Sequence, residues 1–413
     1  MKGLTERRPL IARALMLMIV LLLLMLGWLS VRNAADRLYA RSHPALATRF
    51  WPADGASLAT QAMDRVIDAG GHVDDAALAF AREALRRNPR AAMPLVVAGF
   101  AASATANNER ALALMEAARA REPRTDTARF WLLEEYLQVG NYPAALDEIQ
   151  PVMALRGGLG AALLDVVGAL TTIPAAHHAL VAKLSQQPNW RGAFFQREAG
   201  NSVLPPHAIP SLLEIVPPAK DGDAARAEQR AVIGAMIARG DDAGAYSLWL
   251  SLLPQADRPA ANRVYDPDFL GRPGSDPFNW SLDTAPDVSV TPAARSDLAG
   301  GHGLTIDFRA TIAKPIASET IPVSAGGYGI AVTARRIGSP LGDGRIFMTV
   351  RCGATSLATI PLDPLTSHAR RFETDVVVPA SCPMATIELT GEPGDTLGAI
   401  SAEVTAIDLH RRP

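Results

Sequence analysis

Few residues in this sequence stand at spacings that chemistry requires. Cys352 and Cys382 are alone in 413 residues. They read as one disulfide in an oxidising compartment, with two buried free thiols as the alternative. Closing a loop of about 30 residues stabilises by roughly 3–4 kcal/mol in the loop-entropy model. Asp266, Asp268, Asp276 and Asp283 carry oxygens suited to calcium. Aspartate is also a default turn former, so a solvated loop is expected and no metal is assigned. His177 and His178 are adjacent, and neighbouring helical positions diverge by about 100°, so they form a polar surface rather than a chelate. Gly158-Leu159-Gly160 has no preceding strand and lacks the third glycine of a dinucleotide loop. Gly301-His302-Gly303 precedes a strand and reads as a turn. HExxH, Gly-x-Ser-x-Gly and zinc-spaced cysteines do not occur. With 40 basic against 42 acidic residues, no net field recruits nucleic acid. The expectation is a binding protein, not an enzyme, with no catalytic residue and no cofactor.

The elements that would position such residues fall into three materials. Ala14 to Val31 is apolar apart from Gly27 and Ser30. At about 1.5 Å per residue it reaches about 27 Å, close to a hydrocarbon core. Lys2, Arg7, Arg8 and Arg13 precede it and favour a cytoplasmic start for residues 1–13. Arg32, Arg37 and Arg41 follow it. A cleaved signal peptide is the rival, but neither Arg32-Asn33-Ala34 nor Asn33-Ala34-Ala35 is a good small-x-small site. The segment 14–31 is therefore read as an uncleaved transmembrane helix. An abundance of Ala and Arg over Lys suggests a GC-rich bacterium, which makes the compartment beyond an inner membrane the periplasm.

From 45 to 253 the apolar spacing is helical, and small residues recur with a stride of 34 positions. Gly99, Ala111, Met115, Ala118 and Pro123 form the best copy. Stepping back finds Ala77, Ala84 and Pro89; stepping forward finds Leu132, Tyr136, Gly140 and Ala145. Short side chains belong where helices cross closely, and proline stops a helix because it lacks the amide donor. Gly140-Asn141 marks a chain reversal. Leu58 to Ala69, Gly158 to Gln187 and Arg226 to Leu253 extend the array with weaker copies. This pattern resembles the tetratricopeptide repeat (TPR), which implies stacked helical hairpins that hold a protein partner.

Pro254, Pro259, Pro267 and Pro273 punctuate 254–276, which reads as a linker. From 277 to 413 the period is two. Leu304, Ile306 and Phe308 point one way, as do Tyr328, Ile330 and Val332, then Ile346, Met348 and Val350, then Phe372, Val376 and Val378, then Ile387 and Leu389. A last run spans Ile400 to Leu409. Such runs predict an antiparallel β-sandwich. Its strand rhythm, and first and last strands able to pair, are similar to the galactose-binding-like and carbohydrate-binding jelly rolls. That resemblance implies sugar binding by stacked aromatics. Trp280 and Tyr328 are the two rings it nominates, while Phe278, Phe347 and Phe372 are assigned to the core.

Two functions follow. One is a membrane-anchored periplasmic scaffold that binds envelope proteins through its repeats, in the manner of TPR proteins of exopolysaccharide assembly. The other is a glycan-binding sandwich presented on a helical stalk.

Overall fold

The computed structural model describes residues 7–39, 42–50, 55–259, 263–295, 301–338, 343–395 and 398–412. Positions 1–6 of the expected cytoplasmic tail lie outside them. Helices come first and strands second, as the change of period at the proline-rich stretch predicts. The chain divides into two compact units, but not at the prolines. The first runs to Leu163 and includes His178–Leu180; the second holds Leu164–His177 and everything from Val181.

The first unit opens with α1 (Arg7–Tyr39), whose Leu15–Ala34 stretch has a mean hydropathy of 2.4 and is unburied. It is long and apolar enough to span a membrane, and a signal sequence has the same composition. After α2 (Pro44–Phe50) come α3 (Gly55–Asp68), α4 (Asp75–Arg87), α5 (Met93–Ala104), α6 (Asn108–Arg121), α7 (Asp126–Gln138) and α8 (Tyr142–Leu155). These six form three hairpins, α3/α4, α5/α6 and α7/α8, packed in succession.

The small residues sit where their size is needed. Ala77, Ala84, Ala111, Ala118 and Ala145 are buried, and Met115 fills the space that Gly99 leaves. A Cβ on Gly99 would stand 2.9 Å from Met115 Cε. Each hairpin closes with the same chemistry. Asp74, Asn107 and Asn141 accept from the amides of Ala77, Arg110 and Ala144, capping α4, α6 and α8. The residue before the second and third caps is left-handed: Ala106 at φ 56° and Gly140 at φ 74°. Buried Glu148 of α8 takes both Arg119 of α6 and Arg129 of α7, the latter at 2.6 Å.

Two helices, α9 (Gly160–Leu170) and α10 (Pro174–Ser185), straddle the division between the units. The second unit continues with α11 (Arg191–Glu198), α12 (Ala208–Ile215), α13 (Gly222–Ala238) and α14 (Asp242–Leu252). The α13/α14 turn repeats the earlier one, with Gly240 left-handed and Asp241 capping onto Gly244 N–H. Arg191 and Glu228 form a buried pair between α11 and α13 at 2.8 Å.

The ten strands among the described residues are β1 (Ser281–Leu282), β2 (Val288–Ala294), β3 (His302–Phe308), β4 (Lys314–Pro322), β5 (Gly326–Arg336), β6 (Arg345–Cys352), β7 (Thr355–Pro361), β8 (Arg370–Val378), β9 (Met384–Glu392) and β10 (Ile400–Arg411). Two antiparallel five-stranded sheets result, ordered β1-β4-β9-β6-β7 and β2-β3-β10-β5-β8. Between them lies the core expected from the alternation, including Leu304, Ile306, Phe308, Ile330, Val332, Ile346, Met348, Val350, Ile387 and Leu389. The first strand does not pair with the last: β1 lies on β4, and β10 runs between β3 and β5. Cys352 ends β6, and its disulfide to Cys382 ties it to the lead-in of the neighbouring β9, with Cα atoms 5.8 Å apart.

The stretch 263–280 is built into the second unit. Trp249 of α14 donates from Nε1 to Ser275 O at 3.1 Å and stacks edge-on against Tyr265. Val264 and Phe269 enter the sandwich core, and Pro267 O accepts from Ile407 N–H beside the β10 bulge. Prolines break helical periodicity without making a segment free, because buried neighbours can supply its partners.

Candidate functional site

The outer face of the first sheet is where residues of useful chemistry converge. On β6, Ile346, Met348 and Val350 face the core, so the pleat sends Phe347, Thr349 and Arg351 outward. Register then fixes their neighbours. Thr390 lies opposite Phe347 on β9 and Pro361 opposite it on β7. Next comes a row across the sheet made of Ser281, Ser318, Glu388, Thr349 and Thr359. Beyond it Thr320, Thr386 and Arg351 align.

Phe347 is half-buried, although an aromatic ring on an alternating strand is most simply a core residue. Arg351 Nη1 stands 3.6 Å from Glu388 Oε1, with the two side chains 37% and 16% exposed. Thr390 donates to the same Glu388 oxygen at 3.1 Å, and Thr320 and Thr386 share a hydrogen bond at 3.1 Å. The polar groups are thus held by each other before any ligand arrives, which lowers the ordering cost of binding. What this face offers is one half-buried apolar plate beside a guanidinium, a carboxylate and the accessible hydroxyls of Ser281, Ser318, Thr320, Thr359 and Thr386, while Thr349 and Thr390 are themselves buried. Hydroxyls and carboxylates accept, hydroxyls and guanidinium donate, and the set matches a ligand that is itself rich in hydroxyls.

The two rings nominated from sequence lie elsewhere. Tyr328 on β5 is fully buried in the core, and its hydroxyl donates to Ser324 O at 2.9 Å. It has no face for a sugar, so that nomination is corrected. Its position in phase with Ile330 and Val332 already pointed inward. Trp280 is half-buried against Phe269, ring centroids 5.2 Å apart, and its Nε1 donates to Asp266 O. It keys the 263–280 segment to the sandwich, and the structure does not bring it together with Tyr328.

The aspartates near the prolines are engaged separately. Asp266 is buried and accepts from the amides of Leu270, Gly271 and Arg272. Asp276 pairs with Arg230, and Asp283 with Lys314. Among the described residues no group of three or more His, Cys, Asp or Glu is placed to hold a metal. Sequence reasoning missed Phe347, Arg351 and Glu388. The signal was present for the first two, since both are out of phase with Ile346, Met348 and Val350.

No family model matches the chain. No curated protein matches it either. Among solved structures it is similar to TmCBM61 in complex with beta-1,4-galactotriose, at 16% identity and a TM-score of 0.27, covering 37% of this chain and 100% of that one. It is also similar to the C-terminal family 22 carbohydrate-binding module of Clostridium thermocellum Xyn10B, at 15% identity and a TM-score of 0.26, covering 37% and 97%. The family 11 carbohydrate-binding module of Lic26A-Cel5E from the same organism stands at 13% identity and a TM-score of 0.26, covering 37% and 97%. At these values the likeness is one of outline and says nothing about a ligand.

Proposed function

We propose that this chain is a glycan-binding protein whose β-sandwich takes hydroxyl-rich carbohydrate on the outer face of its first sheet. The observation that supports it is the half-buried Phe347 beside the Arg351–Glu388 pair on a face lined with threonine and serine. A pyranose presents C–H groups on one face and hydroxyls around its rim. An aromatic plate takes the first, and pre-ordered donors and acceptors take the second. The disulfide fits an oxidising compartment. With α1 as an uncleaved anchor, the sandwich sits on the periplasmic side of an inner membrane. The role is binding, not catalysis.

Affinity electrophoresis of the full chain, in neutral nanodiscs, through gels containing soluble β-glucan, galactan, xylan or a bacterial exopolysaccharide tests this. Retardation by at least one polymer is expected, with Phe347→Ala and Arg351→Ala each weakening it about tenfold or more. Equal mobility in every polymer, or retardation that both variants keep, refutes the reading.

A second reading, a scaffold that binds an envelope protein through the helical hairpins, is favoured by a separate observation: an apolar groove between those hairpins that carries two arginines with no ion-pair partner among the described residues.

A further inference from the structure

In the first unit a groove of about 380 Å³ opens between α4 and α6, with α5 as its floor. The floor is made of short side chains, Ala98, Ala101 and Ala102, and the walls carry Leu78, Leu85 and Leu114. Arg82 lines it from α4 and Arg110 from α6, and both are exposed. Three other arginines on these helices are neutralised, since Arg86 and Arg87 pair with Glu83 and Arg119 with Glu148, while Arg121 at the end of α6 donates to Ala91 O. Neither Arg82 nor Arg110 has an ion-pair partner among the described residues, and no carboxylate lines the groove.

We propose that this groove seats an acidic amphipathic helix of a partner protein, its apolar stripe on α5 and its carboxylates at Arg82 and Arg110. The floor admits a close helix axis because alanine is short there. Flanking leucines suit apolar anchors at helical spacing, the usual way a helix lies in a groove. The two guanidiniums stand on opposite walls, so a helix with acids flanking its stripe satisfies both. A basic helix meets like charge on both sides, which gives selection as well as affinity. This site is independent of the glycan reading, since it lies in the other unit.

The test uses the full chain in phosphatidylcholine nanodiscs and two fluorescein-labelled peptides, read by anisotropy. One has leucines at i, i+3, i+4 and i+7 flanked by glutamates; the other replaces each glutamate with lysine. Saturable binding of the glutamate peptide alone is expected, weakened about fivefold by Arg82→Glu and again by Arg110→Glu. The double variant should take the lysine peptide instead. Both positions are exposed, and unchanged far-UV circular dichroism checks that the variants fold. Phe347→Ala should bind the glutamate peptide like the wild type, which separates failure here from failure of the glycan site. No saturable binding, or equal binding by wild type and double variant, overturns the proposal. So does equal binding of the two peptides by the wild type.

Discussion

Glu319 should make the second unit lose stability as pH rises, and Glu319→Gln should remove that loss. The residue sits on β4 facing the core, opposite Ile387, and is 1% exposed. One carboxyl oxygen accepts Tyr265 N–H at 2.7 Å; the other is buried with no hydrogen-bond partner among the described residues. Burial pushes its pKa up to about 8 from an ordinary 4.5, with the Asp266 charge adding and the Tyr265 amide opposing. Between those two values the folded chain holds a proton that the unfolded chain has released. The stabilisation is therefore complete below about pH 4.5 and is lost as pH climbs towards 8. At about 1.4 kcal/mol per pH unit, the whole span is worth on the order of 5 kcal/mol, and the part between pH 5 and 8 about 4 kcal/mol. Glutamine keeps a carbonyl for the Tyr265 amide and does not titrate. The assay is urea unfolding of the full chain in neutral nanodiscs, followed by tryptophan fluorescence at intervals from pH 5 to 8. Other groups shift both proteins alike, so the difference between them isolates Glu319. Wild type should lose about 3–4 kcal/mol relative to the variant across that range. Parallel curves would refute the assignment of a buried proton to this carboxyl.

Two further perturbations follow from the backbone and the crosslink. Cys352→Ser with Cys382→Ser should lower the stability of the sandwich by about 3–4 kcal/mol, read by the same unfolding assay, and the wild type should show no free thiol to Ellman's reagent until it is reduced. Ala106, left-handed at φ 56° in the α5/α6 turn, should become more stable as Ala106→Gly by about 0.5–1 kcal/mol, because its counterpart Gly140 fills the same place before a capping Asn. A loss of thermal midpoint in Ala106→Gly would contradict that equivalence.

The helical hairpins were legible because each of their requirements is local and appears as a residue type. Ala77, Ala84, Ala111 and Ala118 are short because helices cross there, and Pro89 and Pro123 follow helix ends. The caps Asp74, Asn107 and Asn141 recur at nearly the same stride, 33 and then 34 positions, and Gly140-Asn141 made the last of these turns readable. Strands β3, β5, β6, β8, β9 and β10 were legible by alternation. β4 was less so, since it carries Glu319 on its core side where an apolar residue is expected. The division into units was not legible. Prolines at 254–277 signal the end of helix, whereas compactness depends on what packs with what. Trp249 joins α14 to Tyr265 and Phe278 of the 263–280 stretch, and Val264 and Phe269 of that stretch enter the sandwich core, through contacts that no local pattern encodes.

The candidate site shows the same split between phase and register. Phase is a property of one strand. Once Ile346, Met348 and Val350 are taken as the inward set, Phe347 and Arg351 must point outward, and the outward-facing aromatic follows from sequence alone. Register is a property of two strands distant in the chain. Nothing near Phe347 says that Glu388 of β9 will lie across from Thr349, two positions along, or that Thr390 will face the ring. Choosing rings by type picked Tyr328, whose phase is that of the core. Choosing them by phase would have picked Phe347. For an antiparallel sandwich, the aromatic out of step with its own strand is the better guide to a binding face, because burying that ring in the core would turn every inward neighbour to solvent.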